Sequence, residues 1–380
     1  MKKRVVSFVL VLIFVIFTMS TIASSIEIKE TNLNLNVKSA VLVDAETGTV
    51  LYKQNENERL APASVTKIMT LLLVFEAIDK GALNYEDVLT VSENASSMGG
   101  SQVFLEPGEE MSVNDLLKSV IIASANDAAL TLAEHVGGSE EGFVEMMNKK
   151  AKALGMENTN FENVTGLDDD VINHLTTAGD IAKMSCELLK YEKVNEYATI
   201  WMDTIRNGEF GLTNTNRLVR YYNGITGLKT GYTSEAGYCI SASAKRGELH
   251  LIAVIMGAET SQIRNNAATK LLDFGFANYS FYTDEGKNQV IDVYGGSKNT
   301  VEVIYNDCEM LLNKGEEARI EKEIQLNDYL VAPIKKNEVV GKIIYKLDGQ
   351  IIQECDIISS ETVNKITFFE YLLKVLKNLF

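Results

Sequence analysis

Two short runs near the start of the chain, 39–44 and 48–53, read as strands on either side of Ala45-Glu46-Thr47-Gly48. Strand-like runs flanking a glycine-containing turn predict a β-hairpin. From Pro62 to about Lys80 the pattern is helical, and Gly81 stands just past the end. Helical patterning continues over 112–136, 140–154 and 176–190. Residues 237–245 and 249–257 then alternate around Arg246-Gly247-Glu248, a second hairpin, and a further helix is predicted near 265–277. Strands at both ends with helices between them predict an α/β domain over 30–278, an antiparallel sheet flanked by helices and completed late in the chain.

The character changes after about residue 280. QVIDVYG, TVEVIYN, ARIEKEIQL, YLVAPI, VVGKIIYKL and IIQECDII are short strands between polar turns, which predicts a small all-β domain over 282–361. The last segment, 363–380, segregates on a helical wheel. Asn364, Thr367, Glu370, Lys374, Lys377 and Asn378 fall on one side, and Phe368, Phe369, Leu372, Leu376, Leu379 and Phe380 on the other. Its charges interrupt any run long enough to span a bilayer, so the pattern predicts a helix lying in a membrane interface. The competing expectation is a helix docked on its own protein. At the other end, a basic MKKR, an apolar stretch over 5–19 and the small residues of STIASS read as a signal peptide, 1–25.

The formal net charge is −16, and loss of Lys2, Lys3 and Arg4 with the leader lowers it by three, to −19. That balance argues against nucleic acid as a partner, because phosphate binding needs clustered Lys and Arg. Cys186, Cys239, Cys308 and Cys355 lie far apart without a CxxC, and buried free thiols are expected. His135, His174 and His250 stand in no metal-ligand spacing, so no metal and no cofactor are expected.

The candidate chemistry starts at PASVTKIMT, 62–70, where Ser64 and Lys67 are neighbours on one helical turn. A serine hydroxyl is a poor nucleophile until a base takes its proton. Lysine serves as that base only if burial or a second cation lowers its pKa. Ser64 also reads as an ordinary helix cap. S-x-N occurs four times. Ser112 reads as a helix cap, Ser92 lies in a polar loop, and Ser297 belongs to the β domain. Ser124-Ala125-Asn126 differs, because it follows the apolar helix DLLKSVIIA. The sole K-T-G, Lys229-Thr230-Gly231, precedes a hairpin and is expected at a strand edge, where free N–H groups meet an extended peptide. Glycine there lets a ligand approach the backbone.

The order S-x-x-K, S-x-N, K-T-G is far more specific than its parts. With SANDAALTLAEHVGG, MNKKAKALGMENTNFENVTGL, GLKTGYT and IRNNAATKLLDFGF, the chain resembles the low-molecular-mass penicillin-binding proteins, exported serine D-alanyl-D-alanine carboxypeptidases. The resemblance implies a β-lactamase/transpeptidase-like catalytic domain. It implies Ser64 as acylated nucleophile, Lys67 as general base, Ser124 as proton relay, and Lys229 as the cation that keeps Lys67 neutral. Asn126 would bind the substrate amide, and the Ser64 and Tyr232 N–H groups would form an oxyanion hole. Thr230 and Arg264 would hold the terminal carboxylate, unless Arg264 is a solvated charge at a helix start. The implied partners are the peptidoglycan pentapeptide, β-lactams and, through 363–380, the outer face of the cytoplasmic membrane. The rival expectations are a class A-like β-lactamase, which needs an extra carboxylate to activate deacylating water and has only the loop acids Glu162 and Asp168 to Asp170 to offer, and a non-catalytic wall- or β-lactam-binding protein.

Overall fold

The structure, a computed structural model, describes residues 31, 33–168 and 171–379. The leader expected over 1–25 lies outside the described residues. The chain divides into two compact units. One runs to Thr283 and includes Glu309–Glu317; the other comprises Asp284–Cys308 and the chain from Ala318 on.

The first unit is built on five strands: β1 (Ser39–Asp44), β2 (Val50–Gln54), β3 (Ile225–Thr233), β4 (Gly237–Arg246) and β5 (Leu249–Ala258). Their order is β2-β1-β5-β4-β3, antiparallel throughout. Side chains alternate between two covered faces. Val41 and Val43 join one core with Ile252 and Val254, while Ala40 and Leu42 join the other with Leu251 and Ile255. A sheet covered on both faces explains why β5 reads as an almost unbroken apolar run.

The longer helices of this unit are α1 (Lys67–Asp79), α2 (Val113–Ile122), α3 (Asn126–Gly137), α4 (Glu140–Ala153), α5 (Ala178–Leu189) and α6 (Ser261–Asn278). Every residue of α1 from Lys67 to Phe75 is buried. A helix apolar all round belongs inside a core, and this one carries a lysine into it. The helical patterning over 112–136 is interrupted at Ser124, which takes φ +65° and separates α2 from α3. Ser92 is not merely in a loop; its hydroxyl accepts from Ala95 N and caps a short helical turn. Ser112 caps α2 as expected.

The second unit is a six-stranded sheet of β6 (Lys287–Tyr294), β7 (Thr300–Tyr305), β8 (Ile320–Leu326), β9 (Tyr329–Val331), β10 (Val339–Leu347) and β11 (Gln350–Ser359), in the order β8-β10-β11-β7-β6-β9. Within the expected span of 282–361, one segment packs with the first unit. Glu309–Glu317 clusters with the first unit, where Leu311 enters a core and Lys314 N donates to the Asn278 carbonyl. A correction concerns the cysteines. Cys308 and Cys355 form a disulfide, and Cys186 and Cys239 are free. The two partners lie 47 residues apart, so no local spacing announced them. The chain ends in α7 (Phe368–Leu379).

Candidate active site

The 3₁₀ turn Ala63–Thr66 feeds directly into α1, so Ser64 sits on the turn and Lys67 on the first helical residue. Ser64 is not the helix cap; no side-chain cap bond forms at the start of either element. Lys67 Nζ lies 2.9 Å from Ser64 Oγ and donates at 2.9 Å to the carbonyl of Thr165. Ala63, just before the nucleophile, takes φ +49°, a strained conformation that clusters at functional sites.

Lys67 is completely buried. Burial is the main cause that pushes its pKa well below the usual lysine range, and the charge of Lys229 pushes further the same way, against an opposing pull from Asp127. Lys229 is also buried. Its pKa falls to about 7, by burial first and by the charge of Arg264 second. Lys229 Nζ donates to Ser124 Oγ at 2.8 Å and to the Thr230 carbonyl at 3.0 Å. Two serine–lysine pairs thus stand within electrostatic reach of one another, each lysine buried.

Lys229, Thr230 and Gly231 lie on β3, the last strand of the sheet. A Cβ on Gly231 would meet Ser64 N and the Pro62 carbonyl at 2.9 Å each, so only glycine lets the strand close against the nucleophile turn. This brings the edge strand beside the Ser64 N–H. The Thr230 hydroxyl donates to that of Thr215 at 2.7 Å. Tyr232 is largely exposed and stacks on Tyr238 across the hairpin, centroids 4.3 Å apart. Arg264 is buried, not a solvated charge, with its guanidinium 5.9 Å from the Tyr238 ring. Asn126 opens α3. Its Nδ2 donates to the Gly99 carbonyl at 2.7 Å, while its buried Oδ1 has no partner.

Several contributors carry no motif. The strap 162–166 supplies the second acceptor for Lys67, and it is held from two sides. Thr70 Oγ1 donates to the Val164 carbonyl at 2.7 Å, and Asn163 Oδ1 accepts from Thr165 N and Gly166 N. His174 Nδ1 accepts from Glu162 N at 3.0 Å, and Nε2 lies 2.8 Å from Thr66 Oγ1. With Nδ1 facing a donor, the ring proton sits on Nε2. Of the loop acids, Glu162 accepts the N–H groups of Ile172 and Asn173 at 2.9 Å, which ties its carboxylate into the loop; Asp169 and Asp170 lie outside the described residues. Among the described residues no group of three or more His, Cys, Asp or Glu could hold a metal.

A half-buried serine beside a buried lysine, a second serine–lysine pair and an edge strand against the first serine make an arrangement suited to serine acyl transfer of the penicillin-binding class. Residues 26–260 match the family described as D-alanyl-D-alanine carboxypeptidase, and 276–365 match the penicillin-binding protein 5 C-terminal domain. The chain belongs to the D-alanyl-D-alanine carboxypeptidase family. It is 44% identical to D-alanyl-D-alanine carboxypeptidase DacF of Bacillus subtilis, over 98% of each chain. The structure resembles that of penicillin-binding protein 5 from Haemophilus influenzae, with TM-score 0.74, 33% identity and 88% and 99% of the two chains covered. It also resembles penicillin-binding protein D2 from Listeria monocytogenes in its cefotaxime-bound form, with TM-score 0.60, 34% identity, and 65% and 100% coverage.

Proposed function

We propose that this carboxypeptidase removes the terminal D-alanine of peptidoglycan pentapeptide stems through an acyl-enzyme on Ser64, at the outer face of the cytoplasmic membrane. The observation that carries the reading is the 2.9 Å contact between Ser64 Oγ and the Nζ of a wholly buried Lys67. A lysine kept neutral there accepts the Ser64 proton as Oγ attacks the carbonyl carbon of the penultimate D-alanine. The Ser64 and Tyr232 N–H groups hold the oxyanion, and removing one such donor typically costs about 10²–10³ in rate. Lys67 passes the Ser64 proton through the Ser124 hydroxyl, polarised by Lys229, to the leaving amine, so D-alanine departs and Lys67 is neutral again. Water then attacks the ester with Lys67 again as base, which releases the tetrapeptide and restores Ser64.

Asn126 Oδ1, buried and without a partner, suits the N–H of the substrate amide. Thr230 and the buried, cationic Arg264 suit the terminal carboxylate, and a charge so desolvated interacts strongly with an anion. β-Lactams acylate Ser64 by the same steps, their ring amide standing for the scissile bond. The tied Glu162 carboxylate gives no support to a β-lactamase. On incubation with benzylpenicillin, intact mass should rise by one penicilloyl group and peptide mapping should place it on Ser64. An adduct on Ser124, or none, removes this mechanism.

The membrane side of the reading rests on α7. Among the described residues no helix is long and apolar enough to cross a membrane. The α7 side chains Phe368, Phe369, Leu372 and Leu373 are instead left largely exposed, as an interfacial helix requires.

A further inference from the structure

Phe104 is held in an unusual way. It takes φ +57° and its ring is 68% exposed, while Val103 and Leu105 on either side are buried. Bulky residues adopt that conformation only where their surroundings force it. Here they do. The buried Asp127 carboxylate accepts the N–H groups of Val103 and Leu105 at 3.1 Å each. Arg206 donates to the carbonyls of Val103 and Phe104 at 2.8 and 3.1 Å, and pairs with Glu109 at 2.7 Å. A buried anion and a cation thus fix the backbone on both edges, and the product of that clamp is one aromatic ring standing in solvent.

The ring borders a groove of about 610 Å³ whose walls include Glu106, Pro107, Glu109, Arg206 and Phe210. Phe210 meets Phe104 edge-on at 6.3 Å. The groove and the Asn126 site draw on one backbone segment. Segment 99–105 runs beside the start of α3. Gly99 and Ser101 give their carbonyls to Asn126 Nδ2 and N, and Val103 and Leu105 give their N–H groups to Asp127. Phe104 is three residues beyond Ser101, hence within about 10 Å of it. An extended peptide whose amide is held by Asn126 covers that distance in about three residues.

We propose that the groove beside Phe104 is a subsite for the peptide stem on the N-terminal, acyl side of the scissile bond, with Phe104 and Phe210 packing on its side chains. The proposal rests on the carboxypeptidase reading above. It makes Phe104 a determinant of substrate length and leaves the serine–lysine chemistry alone.

The test compares wild type with Phe104→Ala and Phe104→Tyr on three probes: benzylpenicillin, acetyl-D-Ala-D-Ala and the pentapeptide L-Ala-γ-D-Glu-L-Lys-D-Ala-D-Ala. Phe104→Ala should lower kcat/KM for the pentapeptide tenfold or more, leave the two short probes within twofold, and Phe104→Tyr should restore the pentapeptide. An unchanged pentapeptide rate overturns the subsite. So does an equal loss on all three probes, because that marks Phe104 as structural. A wild type that cleaves neither peptide defeats the carboxypeptidase reading instead. The subsite is then decided by calorimetry of the uncleaved pentapeptide on Ser64→Ala with and without Phe104→Ala, where equal affinities overturn it.

Discussion

At the scale of the residue, the proposed mechanism depends on keeping one lysine neutral. Burial disfavours the charged form of Lys67, and the Lys229 ammonium adds to it. The competent neutral fraction of Lys67 grows as pH rises through its pKa, so acylation should show an acid limb set by Lys67. Lys229→Ala removes the neighbouring cation and should move that limb to higher pH, besides lowering the plateau rate through the lost contact with Ser124. The readout is the penicillin acylation rate against pH; a limb that stays put would mean Lys229 acts only on Ser124. His174 gives a second pH effect with its own sign. Burial lowers its pKa from 6.5 to about 4, against the opposing charges of Glu162 and Asp168. Between those values the unfolded chain binds more protons than the folded one, so stability falls as pH drops from about 6.5 and levels off below about 4. At 1.36 kcal/mol per unit the loss approaches about 3 kcal/mol. Urea unfolding at pH 7 and pH 4.5 should show a smaller acid-induced loss for His174→Gln than for wild type. Since His250 is also lowered to about 4, only that difference isolates His174. The lysines and serines were legible in the chain because their chemistry needs side chains at fixed spacing. The Thr165 carbonyl and the His174 ring were not: a backbone acceptor has no residue signature, and the partner of Thr66 is 108 positions away.

At the scale of the element, the site is made where three structures end or break. The 3₁₀ turn at Ala63–Thr66 presents Ser64, the αL residue Ser124 interrupts two buried helices, and the edge of β3 closes the third side. The hairpins and long helices were readable because each has a local period and a turn residue at its end. The short pairs Val88–Thr90 with Glu110–Ser112 and Met202–Ile205 with Phe210–Thr213 escaped notice, being too short to show a period. The closure of β3 on the turn gives a sharp prediction. A methyl on Gly231 would press on Ser64 N and Pro62 O at 2.9 Å and on Ala63 Cβ at 3.0 Å. Overpacking of this kind costs about 1–3 kcal/mol, and here the strain falls on the Ser64 N–H, the proposed oxyanion position. Gly231→Ala should therefore slow penicillin acylation at least tenfold while the protein stays folded by circular dichroism. Near-normal acylation would show that the strand can move away without disturbing the hole. Gly166 faces a harder limit, because a Cβ there would lie 1.8 Å from the Ala63 carbonyl oxygen.

At the scale of the molecule, the proposed place of work at a membrane surface rests on the tail. The Cys308–Cys355 disulfide fits an exported chain. The free thiols are inert by comparison: burial pushes Cys186 up to about 12 and Cys239 to about 11. The sequence places a strongly segregated helix at the end of the chain, and the structure sets where it can be cut. Val363 is buried and bridges Ile334, Lys365 bridges Gly296, and Ile366 N donates to the Gly295 carbonyl. Those residues belong to the β unit, so the separable helix begins at Thr367, whose hydroxyl accepts from Glu370 N while its own N–H donates to the Glu370 carboxylate. Beyond it, Phe368 and Phe369 are 74% and 75% exposed. Burial in a bilayer interface gains about 0.8 kcal/mol per methylene, and lysines near anionic head groups add about 1 kcal/mol each. These terms must outweigh repulsion of a strongly acidic chain, whose formal net charge is −16. Repulsion between charges fades beyond about 10 Å at 0.1 M salt, whereas apolar burial does not. Truncation after Ile366 should therefore leave penicillin acylation unchanged and abolish flotation with vesicles containing phosphatidylglycerol. The full-length enzyme should float, and more completely as salt rises from 0.05 to 0.3 M if repulsion of the acidic body outweighs the pull on the lysines. Flotation of the truncated enzyme at the full-length level would locate the membrane contact elsewhere in the chain.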